Sequence, residues 1–196
     1  MKNRPYTLVI DPGHGGEDPG AINERLDVYE KNINLEVALK VKERVEKGDY
    51  LYDLFLTRED DVFVHLNDRA RLANSLGADA FLSIHCNARE GEGREGLEVE
   101  AYYYPSSKEG KMFAQIIMDY VVLGVHEKIL TIMRGIKPAN FLVLRKTNMP
   151  AVLIELGFIT DDEEARFLND PENQKEIASA IAEGCELFLE DGGLWL

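Results

Sequence analysis

Short apolar runs alternate with segments of helical periodicity along most of the chain. The runs fall at Tyr6–Ile10, Leu51–Thr57, Ala80–His85, Leu97–Tyr104, Phe141–Leu144 and Ala151–Glu155, each of strand length. Between them, Asn34–Val45 places Leu35, Val37, Ala38, Leu39, Val41 and Val45 at near-helical spacing. Leu66–Leu76 does the same with Leu66, Ala70, Leu72, Ala73 and Leu76. Further helices are predicted at about Lys108–Leu123, Glu163–Leu168 and Pro171–Leu189, with Pro171 suited to a helix start. This alternation predicts an α/β fold, with six strands in a largely parallel, buried sheet and helices packed on it. Arg89–Gly96 mixes glycine with charge and is expected to be a mobile surface loop. No repeat or boundary interrupts the pattern, so residues 1–190 read as one domain and 191–196, beginning Asp191-Gly192-Gly193, as a tail or the start of a linker.

Length and charge narrow the picture. A chain of 196 residues can bury a full core without disulfides or metals, so a metal here would serve function rather than hold the fold. Asp and Glu number 36 against 22 Lys and Arg, a net charge of -14, the wrong sign for binding nucleic acid or an anionic membrane through the general field. No apolar run is long enough to cross a bilayer. Cys86 and Cys185 have no CxxC spacing and are expected to be free and buried. The stretch Tyr6–Ile10 is too short for a signal-peptide core, so the chain as written is not expected to be exported by that route.

Four residues stand out as candidate chemistry. His14 sits in Asp11-Pro-Gly-His-Gly-Gly16, where a phosphate cradle, a metal site and a plain sharp turn compete; neither GxGxxG before a helix nor a P-loop Lys-Ser/Thr is present, which disfavours phosphate. His85 ends a buried strand, where open α/β sheets place their sites, although a core histidine bonded to a carbonyl explains it equally well. Glu155 interrupts the apolar run Pro150–Phe158; burying it calls for a metal, a proton-transfer role or an ion pair with an arginine. Glu30 opens the first helix, where the helix dipole alone would favour it, yet the loop from His14 ends there and could bring the two together. If the strands carrying them run parallel, His14, His85 and Glu155 share one rim. Two His and a Glu with an open fourth position, and a further Glu nearby, form the donor set of a catalytic zinc hydrolase.

These motifs, with Glu30-Lys31, Asn34-Leu35, Thr57-Arg58, Arg69, Ala73-Asn74, Ser83-Ile-His-Cys-Asn87 and Pro150–Ile159, resemble the zinc-dependent N-acetylmuramoyl-L-alanine amidases of bacterial cell walls and phage lysins. The resemblance runs in order from about Thr7 to Phe188. It implies a twisted, six-stranded mixed sheet flanked by helices, one zinc ion held by His14, Glu30 and His85, and Glu155 as the catalytic carboxylate. The implied substrate is peptidoglycan, cut between the lactyl group of N-acetylmuramic acid and L-alanine. Asn87 and Arg134 are candidates for holding substrate, and Asp11 for orienting the His14 imidazole. Arg58 and Arg69 are expected to pair with buried carboxylates, and His65 and His126 to be solvated or structural. No long extra helix near Arg89–Leu97 or Gly124–Lys137 suggests a built-in autoinhibitory segment.

Two other readings remain open at this point: a zinc carboxypeptidase or aminopeptidase acting on peptide stems, and a peptidoglycan-binding module without catalysis. The retention of all four site residues speaks against the second. A phage lysin released from the host cytoplasm, or a catalytic domain cut from an exported protein with a separate wall-binding domain after Leu196, both fit the expected site of action at the wall.

Overall fold

The first apolar run forms strand β1 (Tyr6–Pro12), followed by a hairpin of two-residue strands, β2 (Ile22–Asn23) and β3 (Val28–Tyr29), and helix α1 (Glu30–Lys47). Then come β4 (Tyr52–Leu56), α2 (Leu66–Leu76), β5 (Ala80–Asn87), β6 (Leu97–Tyr103), α3 (Lys108–Val125) and β7 (Thr131–Pro138). The chain closes with α4 (Leu142–Lys146), β8 (Ala151–Phe158), α5 (Asp162–Asn169) and α6 (Pro171–Asp191). This computed structural model describes residues 5–91, 93 and 95–191. Two positions of the expected surface loop, Glu92 and Arg94, and the tail from Gly192 onward lie outside the described residues.

Six strands form one mixed sheet in the order β4-β1-β5-β8-β6-β7. β4, β1, β5 and β8 run parallel, while β6 and β7 run parallel to each other and antiparallel to the rest. Alternation then sorts the side chains. Leu8, Ile10, Leu82, Ile84, Val152, Ile154, Val99 and Ala101 face a large core built with α1, α3 and α6. Val9, Phe81, Ala151 and Leu153 face a smaller cluster under α2 and α4, with Ala73, Val143 and Leu144. Two short helices cover that second face only in part, and the uncovered part carries the chemistry.

Five of the six expected strands form. The sixth does not: Phe141–Leu144 is the approach to and first turns of α4, with Val143 and Leu144 buried. The sixth strand is instead β7, whose sequence TIMRGIKP carries two cations, a glycine and a proline. As an edge strand, exposed or half-buried along its whole length, β7 needs no apolar run, and a four-residue run such as Phe141–Leu144 fits one turn of helix as well as a strand. α1 begins at Glu30 rather than at Asn34, so that Ile33 and Asn34 join Val37, Ala38, Val41 and Val45 on its buried face. α2 has its predicted bounds and ends on Gly77 in the left-handed region, φ 59°, a common helix stop. Cys86 and Cys185 are free and buried.

Candidate active site

The site begins where β1 ends. Gly13 donates its N–H to Ile84 O on β5 at 3.0 Å, which keeps the chain against that strand for one more residue. A Cβ on Gly13 would stand 2.2 Å from His85 Cε1, so only glycine admits the ring at this place. His14 then takes φ 61°, a conformation that costs a residue with a side chain on the order of 1–3 kcal/mol. Gly15 and Gly16 continue the bend.

Two arginines hold the strained loop. Arg69 bonds Pro12 O at 2.7 Å and His14 O at 2.8 Å, and pairs with Asp11 Oδ1 at 2.8 Å, both side chains being buried. Arg58 reaches Pro12 O at 3.0 Å, Gly13 O at 2.9 Å and Lys31 O at 2.8 Å. The expectation of a carboxylate partner thus holds for Arg69. Arg58 instead bonds backbone carbonyls of the turn, of the first turn of α1 and of Asp60, and burial lowers its pKa.

Three expected ligands meet at this bend. Glu30, at the start of α1, puts Oε1 3.1 Å from His14 Nε2 and 3.0 Å from His85 Nδ1. The two imidazoles stand edge to face with centroids 4.9 Å apart, and one ligand atom from each of the three residues lies within 4.8 Å of the others. Burial alone would lower the His14 pKa, but its bonds to Glu30 and Asp18 outweigh that and raise it to about 9. Burial likewise pushes Glu30 upward, and the bonds from His14 and His85 win, holding its carboxyl well below the usual range.

The donor set fits a cation. Glu30 Oε1 also accepts from the Cys86 N–H at 3.1 Å and from Asn34 Nδ2 at 3.3 Å, so two N–H donors and two imidazole nitrogens converge on one oxygen. A cation between the rings would take a lone pair from each imidazole nitrogen and relieve the crowding. Two imidazoles and one carboxylate suit zinc better than magnesium or calcium, which prefer all-oxygen sites.

Glu155 lies beside His85 in the β5–β8 register. Its Oε2 is buried and has no hydrogen-bond partner among the described residues, and no described arginine pairs with it. Burial raises its pKa to about 7. An unpaired buried carboxyl is costly for folding alone, and its place on the rim next to His85 gives it a reason to exist.

Asp11 does not orient His14. Its Oδ1 accepts from Thr57 Oγ1 at 2.6 Å and Arg69, and its Oδ2 from Ser83 Oγ at 2.8 Å. Asp11 stands level with Ser83, two residues short of His85 along the strand, and its lone pairs are engaged there. The partner of His14 Nδ1 is Asp18, at 2.9 Å, whose other oxygen accepts the Gly20 N–H. An acidic residue four positions after the histidine, inside a Gly-Pro turn, was the signal available in the sequence. Asn87 donates to Glu100 at 2.8 Å, and Arg134 pairs with Glu98 at 2.6 Å and Glu100 at 2.9 Å.

A cavity of about 470 Å³ opens on His14, His85 and Glu155 and is walled by Phe63, Val64, Leu66, Phe141, Leu142, Val143 and Leu153. Sequence reading did not single out this apolar wall, because its two aromatic residues come from loops far apart in the chain. His65 packs edge-on against Phe63 at 4.8 Å and His126 bonds Leu123 O, so neither enters the site.

Fold and site together define an α/β protein with a candidate metal centre at the carboxyl ends of parallel strands. A family model described as N-acetylmuramoyl-L-alanine amidase matches residues 8–186, and the chain belongs to that family. It is 38% identical over 180 residues to the sporulation-specific N-acetylmuramoyl-L-alanine amidase of Bacillus subtilis, covering 91% of this chain and 66% of that protein. A probable N-acetylmuramoyl-L-alanine amidase of Haemophilus influenzae is 30% identical, over 94% of this chain and 52% of its own length. The chain thus spans about half to two thirds of these two relatives. The crystal structure of N-acetylmuramoyl-L-alanine amidase from Clostridium difficile 630 superposes with a TM-score of 0.89 at 36% identity, covering 97% of this chain and 100% of that one. The catalytic domain of the Bacillus (Paenibacillus) polymyxa amidase CwlV gives 0.85 at 36% identity, over 94% and 98%.

Proposed function

We propose that this chain is a zinc-dependent N-acetylmuramoyl-L-alanine amidase that acts on the peptidoglycan of the bacterial wall, hydrolysing the amide between the lactyl group of N-acetylmuramic acid and L-alanine. The observation that carries the reading is the cluster His14, Glu30 and His85 with Glu155 on the neighbouring strand, whose buried Oε2 has no partner among the described residues. Family membership supports the choice of substrate.

His14 Nε2, Glu30 and His85 Nδ1 would hold the ion, with Asp18 fixing the His14 ring from behind. Zinc bound there supplies Lewis acidity toward the scissile carbonyl and toward water. Glu155 takes a proton from the attacking water and returns it to the alanine nitrogen as the C–N bond breaks, leaving a lactyl carboxylate and a free amine. Burial raises the Glu155 pKa to about 7 with no ion beside it, and a bound cation would draw it down, keeping the carboxylate ready to accept the water's proton. Proton transfer of this kind is worth about a hundred- to ten-thousand-fold. The partly covered sheet face half-buries Glu155 while leaving it and the ligands facing one cavity.

Digestion of purified walls tests this. New N-terminal alanine without new reducing ends, abolished by chelator and restored by zinc, is the expected result. Free amino acids released from the end of the stem would make the enzyme an exopeptidase. One equivalent of bound zinc with no product from any wall would make it a binding module.

A further inference from the structure

Beyond Glu155, on the side away from His85, the same sheet face carries a row of charge that the hydrolysis does not use. Glu100 is the cross-strand partner of Glu155. Glu98 and Glu100 are fully buried, and each is held by cations from elsewhere: Arg89 and Arg134 on Glu98, Arg134 and Lys137 on Glu100. Asn87 Nδ2 and the Tyr102 hydroxyl, at 2.8 and 2.5 Å, complete the ring of donors around Glu100.

The backbone is bent to build this row. Residues three apart on a regular strand face opposite ways, so Arg134 and Lys137 should diverge. A bulge intervenes: Val99 pairs with Met133 but Ala101 with Ile136, and Gly135 takes φ 88°. Arg134 and Lys137 are thereby turned onto one face, the kind of re-aiming that bulges perform beside active sites. Burying two carboxylates among three cations is poor economy for stability, since apolar residues of similar size would serve the fold as well. What the arrangement does achieve is to pin the cations with their outer sides open. Arg134 and Lys137 are 33% and 39% exposed, and Arg134 Nη2 has no bond among the described residues.

The two flanks of the centre therefore differ in chemistry. Toward Phe63, Val64 and Leu66 the cavity wall is apolar; on the β6 side Phe141 packs on Tyr102 at 5.2 Å, and the Tyr102 hydroxyl meets Glu100 beside Arg134 and Lys137. β7 lies two strands from β8, about 10 Å away at ordinary strand spacing. An extended peptide advances about 3.3–3.6 Å per residue, so a carboxylate on the residue after the alanine reaches roughly 7 Å from the scissile amide. The Arg134 side chain, drawn toward Glu100, spans the rest.

Resting on the amidase reading, we infer that Arg134 and Lys137, steadied by Glu98 and Glu100, form a subsite for a carboxylate on the peptide that departs with the alanine amine. The peptide arm runs over β6 and β7, and the sugar arm lies on the side of the apolar cavity. Asn87 is a positioning residue here, since its amide holds Glu100.

The test uses two soluble N-acetylmuramoyl-L-alanyl substrates, identical except that the second residue carries a free α-carboxylate in one and a carboxamide in the other. Wild type is expected to favour the carboxylate about tenfold or more in kcat/KM, chiefly through KM, as for bonds to a charged group. In Arg134→Gln and in Lys137→Met the ratio falls toward one, and Arg134→Lys keeps part of it. Lys137→Met removes only the outer cation and guards against misfolding of the Arg134 variants, with melting curves recorded for each. Equal kcat/KM for the two substrates in wild type, or an unchanged ratio in both Arg134→Gln and Lys137→Met, overturns the subsite while leaving the amidase reading intact. Cleavage of neither substrate overturns both.

Discussion

His14 and Asp18 form a bonded pair, Nδ1 to Oδ2 at 2.9 Å, on the side of the ring away from Glu30. The carboxylate fixes which nitrogen faces Glu30 and sets the ring's angle, in the manner of outer carboxylates behind metal-bound histidines. Asp18→Ala is expected to weaken zinc binding about 10–100-fold, measured by competition with a chromophoric chelator. Asp18→Asn, which keeps a hydrogen-bonding atom in place, should lose less. Equal affinity in all three proteins would remove Asp18 from the centre.

Glu155 ties activity to stability. Glu155→Gln should bind zinc as wild type does and lose turnover by about a hundredfold or more. In metal-free protein the same change alters the pH dependence of folding. The folded-state pKa of Glu155, about 7, lies above its ordinary value of 4.5, so its contribution is fully present below pH 4.5 and is lost as pH rises through 7. Wild type should therefore fall relative to the Gln variant by on the order of 3 kcal/mol between pH 4 and 8, followed by urea unfolding in chelator. Parallel curves for the two proteins would contradict the burial of an uncompensated carboxyl.

Gly13→Ala inserts a methyl 2.2 Å from His85 Cε1 and 2.4 Å from Nε2, so the ring must swing out of place. Hydrolysis should drop about a hundredfold, the usual loss for a displacement near 1 Å, with zinc affinity falling in parallel. Assays of both at matched metal loading check this. A fully active variant would mean that the loop and the ring can separate without consequence.

The Arg69–Asp11 pair is buried on both sides. Arg69→Met leaves Asp11 charged without its partner and should destabilise the protein by about 3–5 kcal/mol in urea unfolding. Adding Asp11→Asn should recover part of that loss. Additive effects in the double variant would show that the two residues act separately.

Hydrophobic pattern was enough to place β1, β4, β5, β6 and β8 and the long helices, because each buries a periodic face against the rest of the molecule. It was also enough to single out His85, which ends a buried strand, and Glu155, which interrupts an apolar run, whereas His14 was marked by the glycines around it. What burial periodicity does not record, the sequence did not disclose. β7 lies at an edge, exposed or half-buried along its length, and so carries no apolar signature, while the four-residue run before α4 suits either structure. Asp18 rather than Asp11 supports His14 because the chain turns through positive φ at residues 14 to 16, and only that turn determines which carboxylate meets the ring. The row from Glu155 to Glu100 to Arg134 joins three strands distant in sequence through one antiparallel pairing and one bulge. Residue types and periods are local properties written in the chain; partners across strands follow from register and backbone bends, which only the folded sheet decides.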